Sequence, residues 1–426
     1  MAQPHIDYII VVGAGAAGLM AARELARAGK QVTILEARER CGGRIDPLPA
    51  AEFGYRAEGG AEFIHGEAPV TYGLLREAKL SSRPVEGARW NVKHGALSRD
   101  EANAPHSDAL YEVLKTLTSD MTVTALLDRH FAGPEFAALR QSVLRMVKGY
   151  DAADPDKASV LAIRDEWMHE GRSSQARLVD GYGAMIDYLA AECRKHGARF
   201  HFNAVVSAIE TTNTGALVRS IDGATHACDA AILTVPQPCL QQIALPPSVS
   251  TKVAAAADIG FGNVIKLLLR FKRRWWTDLG GRDLSDLLFL LSDEQVPVWW
   301  TQHPSEHPVL TGWLAGPATS DFARLDETQL IGIGVASLAA IAGASPAEFG
   351  QEIVAARAIN WANDPFARGA YSYATLDTRR AQSELANWDG GPVLFSGEAL
   401  YQGRDMGTVE AALASGLETA RTVMQR

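Results

Sequence analysis

Apolar positions along the chain fall into short unbroken runs and longer helical periodicities, and the two alternate from the start. The run "YIIVV", residues 8–12, has no charged position, which predicts a strand buried on both faces. "LMAARELARAG" follows with a helical period and ends near Gly29. "QVTILE" then reads as a second strand that closes in Glu36. Residues 108–150 read as mostly helical, 261–271, 286–301 and 309–316 as strands, and 327–343 as a helix. Near the end, "PVLFSG" reads as a short strand and "TVEAALASGLETA" as a helix rich in small residues.

One predicted strand carries a charge where its neighbours are apolar. In "FGNVIKLLLRF", residues 261–271, Phe261, Asn263, Ile265, Leu267, Leu269 and Phe271 share one side, and Val264, Lys266, Leu268 and Arg270 share the other. Taken alone, the second face is expected to meet water, with Lys266 as its solvated charge.

Length and composition change this picture little. A chain of 426 residues suggests two or three domains, and 47% hydrophobic with 21% charged residues is an ordinary globular mix. A formal net charge of -9 disfavours nucleic acid and anionic membrane surfaces as partners. Cys41, Cys193, Cys228 and Cys239 lack CxxC spacing, so neither a zinc site nor a disulfide framework is expected, and a reduced, cytoplasmic setting fits. The apolar stretch from Tyr8 to Ala22 is broken by glycines and falls short of the roughly 20 residues of a membrane span. A soluble protein without an export signal is the expectation. Oligomeric state stays open, a homodimer included.

The candidate chemistry begins at Gly13, Gly15 and Gly18, in G-x-G-x-x-G spacing between the first strand and its helix. Gly13 permits a tight turn, Gly15 lets backbone approach a pyrophosphate, and Gly18 lets helix and strand pack closely. The helix start offers free N–H groups and a positive dipole end to phosphates. Glu36, eighteen residues after Gly18, is placed to accept hydrogen bonds from ribose hydroxyls and would repel a 2′-phosphate. "LEARERCGGRI" then sets Arg38 and Arg44 around Gly42 and Gly43. Two glycines let the loop fold back over a pyrophosphate that arginine neutralises; a solvated surface charge is the alternative for each arginine.

With Glu36-Ala37-Arg38 and Gly42-Gly43-Arg44 in place, the segment resembles the start of the flavin-containing amine oxidase family, which includes monoamine oxidases, polyamine oxidases and histone demethylases. About six blocks along nearly the whole chain share the resemblance. It implies an α/β fold: a Rossmann-type FAD-binding domain (GR2-like) from 1–80, 176–246 and 388–426, and a discontinuous α+β substrate-binding domain from 81–175 and 247–387. The implied cofactor contacts begin at Gly13, Gly15, Ala17, Gly18, Glu36, Arg38, Gly43 and Arg44. "EGGAEFIHG", residues 58–66, resembles the next block, with Gly60, Ala61 and Glu62 touching the cofactor mainly through backbone. Val206 matches a valine that meets the adenine, Trp361 an aromatic beside the flavin, and Glu398 a glutamate near the ribityl chain. Gly407 precedes a helix start at Thr408 and Val409 that resembles the one facing the flavin's pyrimidine edge.

The resemblance also implies substrate residues. Lys266 matches a lysine that binds a water near flavin N5, which would make it catalytic rather than solvated. Tyr371 matches one wall of an aromatic cage for the amine. Thr408 stands where monoamine oxidases carry the second wall, and His65 stands where polyamine oxidases share "IHG". Core aromatics and a hydrogen-bonded loop histidine are the plain alternatives. Ala370 replaces the cysteine that bonds to FAD in monoamine oxidases, so FAD is expected to be non-covalent. The implied reaction oxidises a primary, secondary or polyamine C–N bond to an imine by hydride transfer to flavin N5, with O2 reoxidising the flavin to give H2O2. Three competitors stand beside it. An L-amino-acid oxidase would grip a carboxylate through Arg83, Arg89 or Arg368; a carbon–carbon desaturase would share the N-terminal fingerprint; a non-enzymatic flavoprotein would keep the fold alone.

Overall fold

The computed structural model describes residues 6–99, 104–169 and 174–425. Strand Tyr8–Val12 lies at the centre of a five-stranded parallel sheet, in the spatial order Val393–Phe395, Ala230–Leu233, Tyr8–Val12, Gln31–Leu35, Arg199–His201. Its unbroken apolar run is explained by cover on both faces. Ile9 and Val11 pack with Leu19, Met185 and Leu413 from helices Ala16–Arg27, Gly181–Lys195 and Val409–Met424. Ile10 and Val12 pack on the other side with Ile209 and Val218 of a three-stranded antiparallel sheet. Helices Pro247–Ala255 and Thr378–Ala386 also bury Val249, Val253, Ala381 and Leu385 against this second face. The expectation had put both helices in the substrate-binding part; their apolar stripes find the parallel sheet instead.

A second, seven-stranded sheet runs Ile353–Asn360, Val264–Phe271, Val309–Ala315, Val298–Trp300, Leu287–Ser292, Ala88–Lys93, Ala96–Arg99. Its pairs are antiparallel except Leu287–Ser292 with Ala88–Lys93. One face, carrying Leu267, Leu269, Leu290 and Trp299, packs on helix Glu327–Ala342. That helix starts in a capping box between Asp326 and Gln329 and stops at Gly343 in the left-handed region, φ +67°.

The opposite face of this sheet carries Lys266, and it does not meet water. Val264, Lys266 and Leu268 are each 1% exposed, which corrects the solvated reading of the alternation. Helices Ser107–Thr116, Val123–His130, Ala137–Gly149 and Val160–Trp167 form their own apolar cluster. The end of helix Ala137–Gly149 is tied to the Lys266 face by Trp313, whose Nε1 donates to the Gly149 carbonyl at 2.7 Å. No single helix among the described residues is long and apolar enough to cross a membrane.

Candidate active site

Between the two sheets lies one cavity of about 1530 Å³. Pockets for one small ligand are roughly 300–1,000 Å³, so this one has room for a dinucleotide and a further molecule. The first strand ends at Val12 and the chain turns through Gly13, whose φ is +107°. A Cβ on Gly18 would sit 2.0 Å from the Gly13 carbonyl oxygen, so the helix approaches the turn at a distance only glycine allows. Gly15 differs: a Cβ there would meet no protein atom within 4 Å, and the residue lines the cavity. That open cradle at a helix N-terminus is the fit expected for a pyrophosphate. Ala17 lines it too, and its backbone is met by Gly416, where a Cβ would fall 2.3 Å from the Ala17 carbonyl oxygen. Helices Ala16–Arg27 and Val409–Met424 are thereby held side by side, and the starts of both border the cavity.

Glu36 is buried at the end of the second strand, accepting from Ala14 N at 2.7 Å and Arg38 N at 2.8 Å. The Gly42–Gly43 loop folds back as the sequence implied: Gly42 N donates to the Ala14 carbonyl at 2.9 Å, with φ +111° and +59° at the two glycines. The arginines are not solvated. Arg38 pairs with Asp364, and Arg44 donates to Glu398 at 2.9 Å and to the Ala370 carbonyl at 2.6 Å. Ser372 also donates to Glu398. Gly60, Ala61, Val206, Trp361 and Gly407 all line the cavity, and a Cβ on Gly60 would come 3.2 Å from the Trp361 ring.

Glu62 departs from its expected role. Its side chain, not only its backbone, organises the floor of the cavity. The carboxylate accepts from Lys266 Nζ at 3.0 Å, Arg177 Nε at 2.9 Å, Gln302 Nε2 at 2.9 Å and Trp300 Nε1 at 3.1 Å. Burial alone would raise this carboxyl; Lys266, Arg177 and the Gln302 hydrogen bond outweigh that and hold it down at about 2. Lys266 also donates to the Gly60 carbonyl at 3.0 Å and lies 5.5 Å from the Trp300 ring centre. Its ammonium has three donors, so one is left over at the cavity wall. Arg177 donates to the Thr301 carbonyl at 3.0 Å and stacks 4.6 Å from the Phe63 ring centre. Nearby Glu58 is pushed up to about 7 by burial, with Lys266 pulling the other way. Arg177, Trp300, Gln302 and Glu58 escaped the sequence reading. Arg177 does carry the same mark as Lys266, a cation between apolar neighbours in the strand Gln175–Leu178.

The substrate residues are partly reassigned. Tyr371 lines the cavity and donates to the Tyr150 carbonyl at 2.6 Å. Burial, then the charges of Asp151 and Glu166, raise its phenol well above the usual range. His65 lines the cavity as well; its Nδ1 meets Tyr150 Oη at 3.0 Å and Gln175 Nε2 at 3.3 Å, and burial lowers the ring to about 4, so it is neutral near pH 7. Thr408 is a helix cap: its Oγ1 accepts from Ala411 N at 3.1 Å and donates to the Asp405 carbonyl at 2.6 Å. Its hydroxyl is thus occupied by the helix it starts, while Thr408 and Val409 both line the cavity. Of the three arginines considered for a carboxylate, only Arg89 lines the cavity. Arg83 is turned toward Ser305, and Arg368 is exposed at φ +57°.

Known proteins share this fold. Residues 16–424 match the flavin containing amine oxidoreductase family. Human lysine-specific histone demethylase 2 is 25% identical over 98% of this chain, which spans 53% of that protein's length. Polyamine oxidase 5 of Oryza sativa subsp. japonica is 26% identical over 97% of this chain and 86% of its own. Among solved structures, putrescine oxidase bound to putrescine superposes with a TM-score of 0.81 at 20% identity, covering 99% of both chains. Cyclohexylamine oxidase from Brevibacterium oxydans IH-35A gives 0.79 at 19% identity, over 99% of this chain and 100% of that one. A match across almost the whole length, on a fold whose glycine cradle, Glu36 and paired helix starts fit a dinucleotide, shows that the chain belongs to the flavin-containing amine oxidoreductase family, with FAD as its cofactor.

Proposed function

We propose that the chain oxidises an amine at its carbon–nitrogen bond. The observation that carries this reading is that one cavity joins the dinucleotide cradle to a wall made of Lys266, Trp300, Trp361 and Tyr371. FAD, when bound, supplies the two-electron acceptor and passes those electrons to dioxygen, yielding hydrogen peroxide. The remaining work falls to the protein. Tyr371, Trp300 and Trp313 offer ring surfaces against which an amine packs. Neutral His65 adds no positive charge to oppose it. Lys266, fixed by Glu62 and the Gly60 carbonyl, keeps one ammonium donor at the reacting end for a water or dioxygen. Ala370 offers no sulfur for a bond to the flavin, so FAD is held non-covalently. The free thiols suit a reduced, cytoplasmic setting. Polyamine oxidases and histone demethylases among the relatives favour an extended or secondary amine.

The test is anaerobic stopped-flow mixing of the purified holoprotein with polyamines, arylalkylamines, secondary amines and amino acids, following the flavin's visible absorbance. Fast bleaching by one class of amine is the expected result. No bleaching by any of them would overturn the reading.

A further inference from the structure

The cavity follows the Lys266 face across the second sheet. Lys266, Trp313, Val298, Leu291 and Asn91 stand in one cross-strand row, each the register partner of the next. All five line the cavity. Asn91 is four strand steps from Lys266, about 19 Å at about 4.8 Å per step. Beside Asn91 on the same strand, Arg89 and Lys93 also face the cavity, as the two-residue period requires.

Across from this sheet runs the helix Ala137–Gly149. Its positions 138, 141, 142, 145, 146 and 149 line the cavity, one stripe at helical spacing. Gly149 is pinned near Lys266 through the Trp313 hydrogen bond. Arg145 lies four residues, about 6 Å, from Gly149 along the helix axis. Helical side chains lean toward the helix start, which carries its guanidinium further still from Gly149. Arg145 is half-buried, and among the described residues it has no ion-pair partner. Gln141 and Ser142 flank it.

The described carboxylates on the substrate side sit elsewhere. Asp151 and Glu166 are close enough to Tyr371 to act on its phenol, and Asp405 lies in the turn before Thr408. Among the described residues that line the cavity, Asp151 and Glu166 thus act near Tyr371, while Lys93 stands at the far end of the strand row from Lys266. A diamine or polyamine reaching outward would bring a second ammonium against Arg145, which costs free energy in a partly buried site. An α-amino acid would place its carboxylate beside the reacting carbon, where Lys266 is already matched by Glu62.

We propose that the substrate is an extended amine whose far end carries a carboxylate, and that Arg145, with Lys93 on the facing sheet, holds that carboxylate. The planar guanidinium suits a two-point grip on it, and the apolar floor of Leu291 and Val298 suits the intervening chain. This assignment rests on the amine-oxidase reading for its reaction, but not for its binding site.

The test uses the holoprotein and four probes of one chain length: ω-aminooctanoate, octylamine, α,ω-octanediamine and octanoate. In anaerobic flavin reduction, ω-aminooctanoate should show the lowest apparent Kd of the three amines. Arg145→Met should raise that Kd about ten- to a hundredfold, the value of one charge-assisted contact, and leave octylamine within about twofold. Arg145→Lys should recover part of the loss. Lys93→Met should act in the same direction with a smaller effect. Octanoate cannot reduce a flavin, so its binding, read by calorimetry, keeps the two readings apart. Octanoate bound by the parent and lost in Arg145→Met, with no amine bleaching the flavin, would uphold the anion site and sink the amine-oxidase reading. A preference for the diamine, or an unchanged ω-aminooctanoate Kd in Arg145→Met, would overturn the anion site, whatever the amines do to the flavin.

Discussion

At the scale of single residues, the buried pair Lys266–Glu62 is the most consequential feature. Lys266 is 1% exposed, and an ammonium there is tolerable only because Glu62 faces it at 3.0 Å. Glu62 in turn is matched twice, by Lys266 and Arg177, so removing either partner has unequal cost. Glu62→Gln leaves two buried cations facing a neutral amide and should cost about 3–5 kcal/mol in urea unfolding. Lys266→Met leaves Glu62 its Arg177 partner and should cost less. The double variant should recover part of the Glu62→Gln loss, giving a coupling energy well above the ~0.5 kcal/mol of independent sites. Additive losses would show that the pair is not coupled. Glu58 gives a second test, through pH. An unfolded chain releases that proton near 4.5 and the folded one near 7, so between these values the fold retains a proton and stability falls as pH rises. The fall should reach about 3 kcal/mol, and Glu58→Gln should flatten it. Equal pH profiles in parent and variant would rule Glu58 out as the source.

At the scale of elements, local pattern and long-range assembly were unequally legible. The strand–turn–helix at residues 8–27 declares itself because its physics is local: an apolar run, a turn only glycine allows, and a helix start. Strand Val264–Phe271 was equally plain as a strand, but its alternation misassigned the Lys266 face, since alternation does not say what covers a face. The partners of Glu62 were hidden for a different reason. Arg177, Trp300 and Gln302 lie 115, 238 and 240 positions away, and no periodicity links such separations. The first motif yields a test that separates two jobs of glycine. Gly18→Ala forces a Cβ against the Gly13 carbonyl and should lower the unfolding midpoint with or without FAD. Gly15 has φ -75°, which any residue adopts, and open space beyond it. Gly15→Ala should leave the stability of the FAD-free protein unchanged while weakening FAD retention, measured by flavin release on dilution. Equal FAD affinity in parent and Gly15→Ala would mean the cradle is not where the pyrophosphate lies.

At the scale of the molecule, the cavity is the joint between the two sheets. Its wall is drawn from the first strand's turn, the Gly42–Gly43 loop, Val206, the Trp361–Ala374 stretch, the start of helix Val409–Met424, and the Lys266 face of the second sheet. Arg44 bridges two of these pieces across 354 positions through Glu398. A cofactor seated there touches both sheets, so its binding energy is shared between them. A ligand at a hundred times its Kd adds about 2.7 kcal/mol to stability. Stripping FAD should therefore lower the unfolding midpoint of the whole chain. In hydrogen exchange, helix Val409–Met424 and strand Val264–Phe271 should lose protection together. Loss confined to the parallel sheet and its helices would mean that the Lys266 face stands without the cofactor and that the two sheets are independent units. The floor cluster argues for joint loss: Glu62 follows directly on Gly60 and Ala61 at the cradle, yet three of its four side-chain partners, Lys266, Trp300 and Gln302, come from the second sheet and the chain that leaves it. Any shift of that segment on losing the cofactor must pull on Lys266.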